Sequence, residues 1–260
     1  MDFLYHISLP VLAAIAVIAA VLISLGGLAL FHRFADKNRL HESHESHDVA
    51  GPVYSVMGTI YAVLMAFVVI VVWEQYRTAD QIADGEAMHL SNVRQLSKAF
   101  PDSISKLIAA DVKDYSTSVI EREWPAMAEG HADSATYGIT KRLWNTFYSY
   151  RPAPADQEYY NEALQELTQF NNSRRERVLD INGSIPAILW TLLLGGGIVC
   201  IVFTYLFATP RPWTQYMITG LLAAMIGVTL FLIFEMDHPY RGGMSLQPDG
   251  FEFVLHGPAK

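Results

Sequence analysis

The chain has 260 residues, 52% of them hydrophobic, and a formal charge of -8 from 26 acidic against 18 basic side chains. That balance, with no basic stripe anywhere, argues against nucleic acid as a partner, and a lone cysteine, Cys200, excludes an intrachain disulfide. The apolar residues do not spread as a soluble core requires; they collect in four blocks, each long enough to cross a hydrocarbon layer of roughly 30 Å at about 1.5 Å per residue.

The first block, residues 10–31, is PVLAAIAVIAAVLISLGGLALF. The segment before it has no basic residue and the apolar run is too long for a signal peptide, so it reads as a retained anchor. A short loop follows, containing HESHESHD. In a helix His41, His44 and His47 share a face. Weak Zn²⁺ or Ni²⁺ ligation, titration near neutrality and a plain solvated repeat all fit that pattern.

The second block, 53–73, is VYSVMGTIYAVLMAFVVIVVW, and Glu74 stands at its end. Beyond it Tyr76, Ala79, Ile82, Ala83, Leu90, Val93 and Leu96 recur at threes and fours. This predicts that the second membrane helix runs on well past the bilayer. A further helix starts at PDSISKL, capped by Asp102, and buries Ile104, Leu107, Ile108, Val112, Tyr115 and Val119. It should stop at Glu123-Trp124-Pro125, because proline disfavours helix in the residue before it. Two more helices follow, one carrying Tyr137, Lys141, Leu143, Trp144 and Phe147, the other Tyr160, Leu164, Leu167, Phe170 and Val178.

The third block, 185–207, contains Gly195-Gly196-Gly197, which interrupt it; the fourth is 213–234. None of the four blocks contains Asp, Glu, Lys or Arg. Pro10, Pro52, Pro186 and Pro212 mark their starts, where a missing N–H costs nothing. Trp73, Trp190, Trp213, Tyr54 and Tyr205 lie near their ends, as interfacial aromatics do. The tail EMDHPYRGGMSLQPDGF has prolines and glycines that forbid a continuing helix, yet it offers Tyr240, Met244, Leu246 and Phe251 for burial. Glu235, Asp237, Pro239, Arg241 and Gly242 there read either as a folded-back clamp or as an ion vestibule or gate.

The expected fold is an all-α membrane protein, with four transmembrane helices and a helical extramembrane domain inserted between helices two and three. Its parts are 1–73 (helices one and two), 74–184 (the helical domain), 185–236 (helices three and four) and 237–260 (a non-helical tail). Arg33, Lys37, Arg39 and Arg211 fall in the two short loops, and positive-inside bias then puts both termini and the domain outside the cytoplasm.

Little here carries reaction chemistry. The chain has no phosphate-binding glycine loop, no HExxH and no GxSxG, so neither an enzyme nor a cofactor is expected. Glu121 and Glu123 in EREW read as a solvated face. Without ionisable groups in the spans, a proton-coupled transporter is disfavoured, whereas a pore lined by small and apolar residues and gated by dewetting is not. Tyr61, Phe67, Trp73 and Glu74 make the second block the candidate pore wall or edge. Small faces (Ala16, Ala20 and Ser24; Gly220, Ala224 and Gly227) and the glycine run suit packing within a subunit, packing between subunits, or a pore hinge.

Read in order, GTIYAVLMAFVVIVVWEQY, EREWPAM, SIPAILW and MDHPYRGG resemble the bestrophin-like domain family of bacterial multi-pass membrane proteins, a family of unknown function. The likeness runs from the HD-x-A-G before the second block to PDGF near the end. The positions that carry it are His47, Asp48, Gly51, Tyr61, Ala66, Phe67, Trp73, Glu74, Glu86, Glu123, Trp124, Pro125, Pro186, Trp190, Pro239, Gly242 and Phe251; at Tyr240 the family more often has Phe. His41 and His44 lie outside the pattern. The resemblance implies a distant analogy to bestrophins, oligomeric anion channels with four membrane helices and a helical domain. It implies a homo-oligomer in the bacterial inner membrane with lipid and inorganic ions as partners. In bestrophins that domain is cytoplasmic, opposite to the placement the charges give here. Two readings follow: an oligomeric passive ion channel, or a non-conducting membrane scaffold or sensor whose helical domain binds a partner.

Overall fold

The computed structural model describes residues 9–37, 47–206 and 212–257, with side chains from 9–34, 51–206 and 212–257. Every regular element among them is helical: α1 (Leu9–Lys37), α2 (His47–Leu96), α3 (Asp102–Ser118), α4 (Trp124–Ala128), α5 (Ser134–Ser149), α6 (Gln157–Leu179), α7 (Ala187–Tyr205), α8 (Pro212–Met236) and α9 (Asp249–His256). Four of them, α1, α2, α7 and α8, are long and apolar enough to cross a membrane. Contacts divide the chain into two units, Met1–Glu74 with Ser184–Asp237, and Gln75–Gly183 with His238–Lys260.

In the first unit α1 packs along α8, and α7 packs on both. Small residues set the closeness of that packing, as they do where lipid offers no hydrophobic drive between helices. A Cβ at Gly227 would stand 2.9 Å from the Cβ of Ala20, and one at Gly220 would touch Leu25 and Val21. The small faces of the first and last blocks are therefore used within the subunit. Polar side chains close the ends of the helices. Gln215 donates to the carbonyls of Thr204 and Tyr205 at the end of α7 and meets His32 at 3.1 Å through its own oxygen. Tyr205 donates to the Ser24 carbonyl at 2.7 Å, and Thr204 and Thr219 share a hydrogen bond of 2.9 Å. Outward, Leu22, Ile23, Ile188, Leu221 and Met225 are exposed, an apolar surface that suits a hydrocarbon solvent and not water.

In the second unit α3, α5, α6, α9 and the distal part of α2 surround a core that includes Leu90, Val112, Tyr115, Leu143, Phe147, Leu167, Phe170 and Phe251. Phe100, Phe147, Tyr150 and Tyr160 cluster at one end, with ring centroids 5.1–6.3 Å apart for the pairs that Phe100 makes. Asp133 caps α5 by accepting the Thr136 N–H at 3.2 Å.

Several expectations need correction. Pro52 does not open its helix: α2 begins at His47 and carries the proline inside its early turns. The glycine run does not interrupt α7, which is continuous from Ala187 to Tyr205. Asp102 is the first residue of α3 and Pro101 takes the N-cap position, so Asp102 does not cap; Leu107 is exposed rather than buried. The helix does not stop at Trp124, which keeps helical angles at φ -61 and ψ -49 ahead of Pro125. A π turn over Val119–Glu123 widens the helix just before the proline, and π bulges and added slack are how helices accommodate a residue that lacks an N–H. The helix then ends at Ala128, and Gly130 in the turn beyond it has a φ of 91°, which favours glycine. Finally, the tail is not free of helix. Pro248 precedes α9, Asp249 and Glu252 sit in its first turn, and Phe251 and Val254 bury its inner face.

Candidate functional site

Two clusters stand out, one in each unit, and they begin from the same helix. Along α2 the side chains buried in the protein recur at threes and fours: Tyr61, Met65, Val68 and Val72, then Ala79, Ala83, Glu86, Leu90 and Val93, with Ser97 just past the helix end. Apolar residues at this spacing form one helix face. Glu86 is the one carboxylate in that buried stripe.

At Tyr61 the membrane half of the stripe meets α7. The Tyr61 ring lies over two glycines, so closely that a Cβ on Gly196 would come within 2.6 Å of a ring carbon. Its hydroxyl donates to the Leu193 carbonyl at 2.9 Å, and Tyr54 stacks on Phe203 with centroids 5.4 Å apart. The rest of α2 is turned outward and falls into two faces. One is small, with Ser55, Thr59, Ala62 and Ala66 exposed; the other is bulky, with Val56, Ile60, Val63 and Phe67 exposed. The four candidate pore residues therefore separate. Tyr61 is 8% exposed and packs inside the protomer, while Phe67 is 64% exposed, and Trp73 and Glu74 are outward as well.

The tail residues separate too. Asp237 is buried at the end of α8 and serves α7, accepting the Ile185 N–H at 2.7 Å and the Trp190 Nε1–H at 3.2 Å. A carboxylate there satisfies donors ahead of the helix and complements its dipole. Glu235 is also buried. Pro239, Arg241 and Gly242 belong to the second unit. There the Pro239 carbonyl accepts the Leu246 N–H at 2.8 Å, Arg241 donates to the Asn182 side chain at 3.1 Å, and Gly242 adopts a φ of 83°. The Trp124 indole donates to the Leu246 carbonyl at 2.9 Å and packs its ring edge against Tyr240. In the second unit the tail is core material.

Beside it lies the second cluster. Glu86 of α2, Glu123 of the π turn and Arg177 of α6 are all 0% exposed. Arg177 grips Glu86 with two nitrogens, Nε to Oε2 at 2.7 Å and Nη2 to Oε1 at 3.0 Å, and Nη2 also reaches Glu123 Oε2 at 2.8 Å. Arg174, one turn earlier on the same face, donates to Glu123 Oε1 at 2.5 Å, and the Tyr115 hydroxyl donates to Glu86 Oε1 at 2.5 Å. Two carboxylates and two guanidiniums thus balance in charge. Burial alone would lower the Arg177 pKa, but the charge and hydrogen bonds of Glu86, with Tyr115 and Glu123, outweigh it and hold the guanidinium charged. Burial, with Glu86 adding to it, pushes the Tyr115 hydroxyl well above the usual phenol range. Trp124 and Phe251 cover the Arg177 guanidinium, with centroids 5.6 and 5.8 Å away, which suits a planar, weakly hydrated cation.

Glu123 is therefore not part of a solvated face; only Glu121 is exposed. Arg174, Arg177 and Tyr115 escaped the motif reading. Their signals were a carboxylate at a stripe position of α2 and two arginines three apart on a helix that is otherwise exposed and polar between its apolar positions. The proposed metal ligands His41 and His44, and the side chain of His47, lie outside the described residues. Among the described residues no group of three His, Cys, Asp or Glu side chains could hold a metal ion.

Four apolar spanning helices and a packed helical unit define a multi-pass, all-helical membrane protein. The bestrophin-like domain profile matches residues 18–251, and the chain belongs to that family. Solved structures share the fold. Two are crystal structures of point variants of a bacterial bestrophin homologue from Klebsiella pneumoniae, each with a TM-score of 0.67 and 12% identity over 94% of this chain and 96% or 97% of theirs. Another, a membrane protein with a point substitution, has a TM-score of 0.65 at 13% identity over 94% of this chain and 96% of its own. No curated protein matches the chain in sequence.

Proposed function

We propose that the protein is an oligomeric, passive ion channel of bestrophin type, with α2 of each copy lining a shared pore. The observation that carries this reading is the outward part of α2. The protomer uses one stripe of the helix and leaves two uncharged faces over, one small and one bulky. The small face allows a neighbouring helix to approach closely, and the bulky face, with Phe67, supplies an apolar constriction of the kind that gates by dewetting. A four-helix protomer is too small to enclose a comfortable path, so the pore forms around a symmetry axis. Bestrophins are oligomeric anion channels, and membership of the bestrophin-like family supports the class. A Glu74 ring at the end of the wall favours cations instead, so the choice of ion is left to measurement.

In this reading the polar helices between the second and third spans form an extramembrane domain, with the tail packed into it. The basic residues of the short loops support an orientation with that domain and both termini outside the cytoplasm of a bacterial inner membrane. Salt-gradient-driven flux from liposomes containing the purified oligomer tests the function. One observation favours the scaffold reading: α5 carries Tyr137, Trp144 and Tyr148 along one side, with both tyrosines exposed. Capture of a defined partner by the full chain, lost on Trp144→Ala, together with absence of flux, would support it.

A further inference from the structure

The glycine run of α7 joins two halves of a helix that are each fastened to their neighbours. The first half is held by Asp237, through the Ile185 N–H and the Trp190 indole, and by the Trp190 ring against Phe234. The second half is held by Gln215 on its last carbonyls, by the Thr204–Thr219 and Tyr205–Ser24 hydrogen bonds, and by Tyr54 on Phe203. Between them stand Gly195, Gly196 and Gly197. Packing accounts for two of these, since the Tyr61 ring and hydroxyl occupy the space of any Cβ on Gly196 or Gly197. It does not account for Gly195, where a Cβ would have no neighbour within 4 Å among the described residues. Three adjacent glycines make this the weakest stretch of an otherwise strongly apolar helix.

Tyr61 sits across that stretch. Its hydroxyl donates to the Leu193 carbonyl, on the first half, while its ring bears on Gly196 and Gly197. In a regular α-helix the same carbonyl accepts the N–H of residue 197. The hydroxyl shares that carbonyl with the ladder, so Tyr61 spans the weak stretch, gripping the first half through its hydroxyl and bearing on the second through its ring. Tyr61 is also flanked on α2 by Ile60 and Val63 of the outward bulky face.

We infer that α7 bends at 195–197 and that the Tyr61 hydroxyl is the latch that holds it straight, so that bending moves the bulky face of α2. The consequence for gating rests on the channel reading; the bending itself does not. Two variants test it in the full-length protein in lipid nanodiscs. Gly195→Ala meets open space and keeps the fold. It should slow amide exchange at 196–198 about fivefold, the factor carried by one glycine-to-alanine change inside a helix. Tyr61→Phe keeps the ring and removes the hydroxyl, and should speed the same amides about fivefold, the factor of one ordinary hydrogen bond. In single-channel recordings the two variants should shift open probability in opposite directions at unchanged unitary conductance. Unchanged exchange in both variants overturns the latch. So does altered unitary conductance in Tyr61→Phe, which would make Tyr61 a pore wall. Exchange shifts in the expected directions without current from any of the proteins uphold the latch and reject the channel.

Discussion

Arg177 has no route to water, and each of its hydrogen-bonding edges faces a carboxylate or the Met127 sulfur. Such a pair is weak evidence of net stabilisation, but removing one partner strands a buried charge. Arg177→Met leaves Glu86 and Glu123 opposed without their shared cation and should destabilise the protein by about 3–5 kcal/mol, read as a lower Tm in detergent. Tyr240 is the opposite case. Its ring is buried against Trp124, but its hydroxyl is a buried atom with no hydrogen-bond partner among the described residues. Replacing an unpartnered buried donor by an apolar isostere costs nothing or stabilises. Tyr240→Phe should leave Tm unchanged or raise it. Tyr115 adds a pH signature. Its pKa is raised in the folded protein, so the folded form keeps its proton where the unfolded chain loses it. Stability is therefore intact below the unfolded value of about 10 and falls as pH rises above it. Tyr115→Phe should flatten that alkaline limb of a melting series.

Among the elements, α2 was the most legible, because its apolar recurrence continues past Trp73 without a break, and its unbroken course to Leu96 follows. The same periodicity placed Tyr115 in a core but said nothing of its hydroxyl. It passed over Glu86 because a charge on a stripe looks like an interruption rather than half of a pair. Its partner, Arg177, lies 91 residues further on, beyond any local pattern. The π turn was missed for a related reason: the rule that proline ends a helix describes an α-helix, and one widened turn removes the conflict. Helix α9 escapes a reading by composition because Pro248 and Gly250 stand at its start, while Phe251 and Val254 share its buried face. For α5, the Asp133 cap should be worth about 1 kcal/mol against Asp133→Ala. Burial alone would raise the Asp133 pKa, but hydrogen bonds from Thr136 and Ala135, with Arg122, outweigh it and hold it below the usual carboxylate value. This contribution is complete above the unfolded value of about 3.9 and is lost as pH falls through the lower folded value. An acid melting series of the wild type and Asp133→Ala should converge there.

At the scale of the molecule, the four spans and the polar helical unit could be read from composition, because a bilayer imposes length and lack of charge on whatever crosses it. Topology could not, since a few basic residues in short loops decide it and the family analogy points the other way. Ser103 is exposed on α3, and the one native thiol, Cys200, is buried in α7. A cysteine at Ser103 should therefore react with a membrane-impermeant maleimide on intact spheroplasts. Reaction only after permeabilisation would put the helical unit in the cytoplasm, as in bestrophins. In the proposed function, copies of this chain form a passive pore walled by the outward face of α2. Its most direct test is salt-gradient-driven ion flux from liposomes containing the purified oligomer, wild type beside Phe67→Ala. The wild type should pass ions, and flux should be several-fold faster once the exposed ring is removed. A well-folded, correctly inserted oligomer that passes no ions in either form would contradict it.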